Sequence, residues 1–134
     1  MFGIVVVAHG GLAKELLAAT EHVVGAQKAV RAVATGPHDD LVEKQAEVRA
    51  AVAEVDAGEG VVVVTDMFGG TPSNLAIGCM SEAGVEVVYG ANLPLLVKLA
   101  KMRGKPMNEA IDCAIESGRK YIDGASQMLN RKAC

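Results

Sequence analysis

The runs GIVVVA (Gly3–Ala8) and GVVVVT (Gly60–Thr65) restrict this chain more than any other feature. Consecutive valines are stiff at χ1 and favour extended backbone. Side chains alternate across a strand, so an unbroken apolar run has to be covered on both faces of its sheet. That covering needs helices between the strands, and the chain supplies them. Lys28–Ala34 and Val85–Tyr89 read as two further strands. Leu12, Leu16, Leu17, Val23 and Val24 recur at helical spacing over Leu12–Val24, and Leu41, Val48, Val52 and Val55 do so over Leu41–Ala57. Thr71–Ala83 reads as a helix with Pro72 in its first turn, where proline is tolerated. Leu93–Met102 and the stretch from Met107 onward are helical, broken by Arg103-Gly104-Lys105-Pro106.

Strands alternating with helices predict an α/β fold with a parallel sheet. Right-handed crossovers leave few topologies. The expected one is a flavodoxin-like, doubly wound, mainly parallel sheet of strand order 2-1-3-4. Helices lie on both faces, and the switch point falls between the first and third strands. The 134 residues suit one domain, 1–134.

Charge and composition exclude several classes. A net charge of −3 gives no electrostatic case for nucleic acid or an anionic membrane as the main partner. The apolar runs are far too short to cross a bilayer. No Lys or Arg precedes the first of them, which argues against a signal peptide. Cys79, Cys113 and Cys134 are an odd, widely spaced set without a CxxC, which argues against a disulfide framework or a zinc site. Cys79 and Cys113 are expected as small core residues in helices. A cytoplasmic protein without metal or cofactor is expected.

In such sheets ligands bind beyond the carboxyl ends of the strands, at the switch point. His9-Gly10-Gly11 follows the first strand there, and Asp66-Met67-Phe68-Gly69-Gly70-Thr71-Pro72-Ser73-Asn74 follows the third. If these strands are neighbours, Asp66 comes within reach of His9. A carboxylate that accepts one imidazole N–H fixes the tautomer and leaves the other nitrogen free to act as a nucleophile. Gly10, Gly69 and Gly70 offer backbone N–H groups, and Thr71 and Ser73 offer hydroxyls. Beside two helix starts, such donors suit a phosphate. Neither loop contains a basic residue. His22, within a helix, is set aside. His38-Asp39-Asp40 reads as a turn and helix cap rather than a metal cluster.

The stretches IVVVAHGGLAKELL, VVVVTDMFGGTPSNLA and GANLPLLVKL resemble the IIA component of the mannose-type sugar phosphotransferase system, over roughly residues 2–125. The resemblance implies that His9 accepts a phosphoryl group from the carrier HPr and passes it to a IIB partner. It places Asp66 on the other imidazole nitrogen and the phosphate donors at Gly69, Gly70, Thr71 and Ser73. Gly90–Pro94 would line the same crevice. The resemblance also implies a homodimer that exchanges a C-terminal strand around Gly118–Ala125, and contact with a membrane only through a transporter complex. The residues themselves disagree about that strand: Ile111, Ile115, Tyr121 or Ile122, Ala125 and Leu129 keep near-helical spacing. Phe68 stands where sugar-transport members commonly carry Trp. The chain shows no linker and no IIB domain before Cys134, so a transport role and a regulatory phosphorelay both stay open. Two alternatives stand beside the phosphocarrier: the phosphotransferase subunit of a dihydroxyacetone kinase, and a regulatory module whose binding depends on phosphorylation.

Overall fold

The computed structural model describes residues 1–82 and 84–133. Strands β1 (Gly3–His9), β2 (Val30–Thr35), β3 (Val61–Thr65) and β4 (Val85–Tyr89) form one parallel sheet in the order β2-β1-β3-β4. This is the flavodoxin-like order expected from the alternation. β1 sits between β2 and β3, with Ile4 opposite both Val30 and Val62. The helices are α1 (Leu12–Val24), α2 (Leu41–Val55), α3 (Thr71–Ile77), α4 (Leu93–Lys101), α5 (Met107–Lys120) and α6 (Ala125–Ala133).

The valine runs bury both faces of the sheet, as their lack of alternation requires. Ile4, Val6, Ala8, Val62 and Val64 pack under Leu96 and Leu99 of α4 and Ala110 and Ala114 of α5. Val5, Val7, Val61 and Val63 pack under Val48, Val52 and Val55 of α2 and Leu75 and Ala76 of α3. Each buried Val, Leu or Ile side chain contributes about 1.5–3 kcal/mol relative to exposure. With few aromatics available, close packing of small aliphatic residues supplies the core.

The helices correct several expectations. On α1 the expected stripe holds at Leu16 and Leu17, which are half-buried against the core, but its ends do not: Leu12 and Val23 are exposed, and Ala13 and Thr20 are the buried residues. Ala13 is small enough to approach the sheet closely. Thr20 satisfies its own hydroxyl by donating to the Leu16 carbonyl at 2.7 Å. Leu41, in the first turn of α2, is exposed. α3 stops at Ile77 instead of running toward Ala83, which itself lies outside the described residues. Gly78 begins a series of tight turns there, with Cys79 N donating to Ala76 O and Met80 N to Ile77 O. A Cβ at Gly78 would lie 2.8 Å from Gln45 Oε1, so α2 and this turn meet through a glycine. Cys79 is therefore a core residue as expected, but in a turn. Cys113 is half-buried on α5, and Cys134 lies outside the described residues.

The C-terminal strand implied by the resemblance does not form. Residues 118–125 are the end of α5, a short connection and the start of α6, as the helical spacing predicts. Gly118 pins α5 to α4: a Cβ there would sit 3.1 Å from Leu95 Cβ, and its carbonyl accepts from Asn92 Nδ2 at 3.0 Å. The break after α4 also holds a buried cation that the sequence reading passes over. Arg103 donates from Nε to the Phe2 carbonyl at 2.9 Å, and from its terminal nitrogens to Gln27 Oε1 and the Ala29 carbonyl. It ties this break to the amino-terminal edge of the sheet, opposite the end where His9 emerges.

Candidate functional site

His9 is the last residue of β1, and Asp66 directly follows β3, the neighbouring strand. Their juxtaposition follows from strand order alone. The contact is direct: His9 Nδ1 and Asp66 Oδ2 lie 2.7 Å apart. An ionised carboxylate only accepts, so in the neutral imidazole Nδ1 carries the proton and Nε2 the lone pair. Asp66 Oδ2 also accepts from the His9 backbone N–H at 2.9 Å, while Oδ1 accepts from the Met67 N–H at 2.9 Å. Burial pushes the Asp66 carboxyl up, but the hydrogen bonds from the His9 amide, the His9 ring and the Met67 amide outweigh it. The net result lies below the usual carboxylate value. The acid is held by three donors and largely covered, whereas the imidazole it orients is half exposed.

The glycines have different reasons to be there. Gly10 and Gly69 take positive φ, +57° and +92°, where a Cβ is strained. Gly70 has ordinary extended backbone, and its constraint is the histidine. A Cβ at Gly70 would lie 3.0 Å from His9 Cε1 and 3.3 Å from Nε2. The free nitrogen therefore faces the loop that opens α3. Thr71 is half-buried at the start of that helix. Ser73 is wholly buried, and among the described residues its hydroxyl and that of Thr65 have no hydrogen-bond partner. Ser73 thus sits beneath the loop rather than on the crevice surface.

The other expected residues divide cleanly. Gly90–Pro94 leaves β4 at this same edge, with the Ala91 N–H donating to the Thr65 carbonyl at 2.9 Å. His38 is exposed in the turn after β2. Asp39 is taken up by the Gly36 N–H at 2.6 Å, and Asp40 caps α2 by accepting from Val42 and Glu43. His22 is exposed in the last turn of α1. Tyr89, the last residue of β4, joins this edge without having been expected there. Its ring lies 5.0 Å from that of Phe68 between centroids. A tyrosine closing a strand at the crevice edge was the available signal.

Chemically, the arrangement is a nucleophilic nitrogen with a fixed tautomer and a carboxylate behind it. It faces a glycine turn with backbone donors. It suits transfer of a group that needs positioning and electrostatic support more than proton removal. No helix among the described residues is long and apolar enough to cross a membrane.

Comparison with known proteins gives the chain a family and solved neighbours of the same fold. The family described as PTS system fructose IIA component matches residues 3–116. The mannose-specific EIIAB component of the phosphotransferase system from Escherichia coli K12 is 33% identical over 104 residues, covering 75% of this chain. The match spans only 31% of that longer relative. Among solved structures, the mannose/sorbose-specific IIA subunit of the phosphotransferase system from Enterococcus faecalis superposes with a TM-score of 0.82. It is 28% identical and covers 92% of this chain and 93% of its own. The phosphotransferase system component EIIA from Streptococcus agalactiae shares the fold, with a TM-score of 0.85 at 23% identity over 95% of this chain and 99% of its own.

Proposed function

The chain belongs to the mannose-type IIA components of the sugar phosphotransferase system, and from that premise we propose that it is a phosphocarrier. His9 takes a phosphoryl group from phospho-HPr and hands it to a IIB partner. Residues 1–134 act as one IIA domain, working as a homodimer in the cytoplasm and meeting a membrane only through a transporter complex. The observation that carries this reading is the 2.7 Å contact between His9 Nδ1 and Asp66 Oδ2, which leaves Nε2 free beside Gly70.

In the proposed step the Nε2 lone pair attacks phosphorus. The phosphorus–nitrogen bond of the donor's phosphohistidine breaks, and its electron pair returns to the donor imidazole. His9 keeps the Nδ1 proton, so its ring gains positive charge as the new bond forms. Asp66, already accepting that proton, stabilises the charge. The backbone N–H groups of Gly69 and Gly70 and the Thr71 hydroxyl donate to the phosphoryl oxygens; the Gly10 N–H, expected among these donors, is instead given to the Thr35 carbonyl at 2.8 Å. Ser73, buried and with an unused hydroxyl, supports the loop from below. The second transfer, to IIB, repeats the exchange in the other direction.

Incubation with phosphoenolpyruvate, enzyme I and HPr is expected to add one acid-labile phosphoryl group, read by intact-protein mass spectrometry. His9→Ala is expected to lose it. A wild-type protein that gains no mass, or a variant that still does, contradicts the reading.

A further inference from the structure

A groove of about 450 Å³ lies between α4, α5 and the last turn of α1. The phosphocarrier chemistry does not use it: neither His9 nor any residue of the 66–70 loop lines it. Leu93, Pro94 and Val97 of α4, Cys113 of α5 and Val23 of α1 give it an apolar lining. Its volume falls in the range of small-molecule sites, about 300–1,000 Å³.

The ends of the groove follow from how the two helices pair. Asn92 Nδ2 donates to the Gly118 carbonyl at 3.0 Å, so the end of α5 lies beside the start of α4. The helices therefore run antiparallel. Lys120 stands at the Leu93 end, and Lys98 and Lys101 stand toward the other, about 12 Å along α4 for Lys101. Three lysines line the groove against one carboxylate, that of Glu116. Among the described residues none of the three lysines is in an ion pair, although Glu116 stands one turn before Lys120. Lysines in a last helical turn offset the helix dipole. That role does not require an apolar cavity between them. A neutral apolar ligand would leave these cations unmatched, and a bare inorganic anion would leave the apolar lining in water. A molecule with both parts matches both.

We propose that this groove binds a small amphipathic organic anion. Its apolar body lies along Pro94, Val97 and Cys113, and its charged head lies at Lys98 and Lys101, the end with two cations and without Glu116. The site is separate from His9 and does not rest on the phosphocarrier reading.

Cys113 is half-buried on the lining, so its alkylation by iodoacetamide reports occupancy. Mass spectrometry of the tryptic peptide carrying Cys113 reads that rate apart from the other cysteines. Hexyl phosphate is the probe, and hexanol is its uncharged counterpart. Hexyl phosphate is expected to slow alkylation saturably, half-maximally below about 1 mM, with protection by hexanol at least about tenfold weaker. The double variant Lys98→Gln/Lys101→Gln, its thermal midpoint compared with wild type, should raise the half-saturating concentration about five- to tenfold. Raising salt from about 50 mM to about 500 mM should weaken protection in the wild type, with no variant needed. Hexanoate in place of hexyl phosphate tells a carboxylate head from a phosphate head, and protection by either supports the site. His9→Ala should bind the probe as the wild type does. No protection by either anion overturns the proposal. Equal protection by hexanol also overturns it, since the groove is then only an apolar cleft. So does a Cys113 that is unreactive without probe and becomes reactive on dilution, because a second copy of the chain then covers the groove.

Discussion

At the scale of single residues, the site depends on a ring held from two sides. Asp66 fixes the His9 Nδ1 edge through a 2.7 Å contact, and Gly70 leaves room along the Cε1–Nε2 edge. Gly70→Ala tests the second side. Its backbone conformation suits alanine, so folding should be little affected and the thermal midpoint should move by no more than about 2–3 °C. The new Cβ would press on His9 at 3.0 Å and turn the ring away from its partner or from the incoming phosphorus. Phosphorylation of His9 is expected to slow by about tenfold to a hundredfold, as misplacement of a reacting group typically costs. Gly69→Ala should behave differently. At φ +92° the strain falls on the backbone, so stability as well as rate should drop. Comparing melting curves and transfer rates for the two variants distinguishes the causes.

At the scale of elements, the helices owe their placement to ends and contacts as much as to apolar stripes. α2 begins where Asp40 accepts from the Val42 and Glu43 N–H groups at 2.9 and 3.2 Å. Asp40→Ala removes that cap and is expected to cost about 1 kcal/mol, lowering the thermal midpoint by about 3–5 °C in calorimetry. α1 is held by a different device: Ala13 and Thr20 give it a narrow buried line that lets Leu16 and Leu17 reach the sheet. α3 is cut short at Gly78 by the side chain of Gln45, which donates to the Leu75 carbonyl at 3.0 Å and contacts Cys79 Sγ at 3.3 Å. The loop from Asp66 to Gly70 is held to β1 by the Asp66–His9 bonds.

At the scale of the whole molecule, the sheet order couples the His9–Asp66 pair to folding. His9 and Asp66 are 57 positions apart in the chain, so their contact exists only when β1 and β3 are paired. The Asp66 carboxyl is held below its ordinary value of 3.8 in the folded protein. A carboxyl depressed by folding contributes stability at pH above its unfolded value and loses it as pH falls through the folded one. Wild-type stability from Asp66 should therefore be complete near neutrality and fade below about pH 4. Asp66→Asn, which cannot ionise, should be less stable than wild type at pH 7 and approach it as the solution is acidified toward about pH 2. Urea midpoints measured across that range check the sign: a gap that widens toward acid contradicts it.

The fold was open to reading because its strongest signals are local. Valine runs without alternation mean a sheet buried on both faces, and helical segments between them mean parallel strands. The placement of His9 and Asp66 followed, since the switch point depends only on strand order. The ends of the α1 stripe, the length of α3 and the use of Arg103 were not open in the same way. Each turns on small or polar residues whose burial is set by what lies opposite: Ala13 against the sheet, Gly78 against Gln45, Arg103 against the Phe2 carbonyl. The phosphate-facing roles expected of Thr71 and Ser73 looked alike along the chain, yet the helix turn half-exposes one and buries the other. Local pattern thus determined the order of elements and the edge where the chemistry gathers, because backbone preference and side-chain periodicity act over a few neighbouring residues. Tertiary packing alone decided which atoms meet at that edge, because contact between distant segments depends on shapes that no single segment carries.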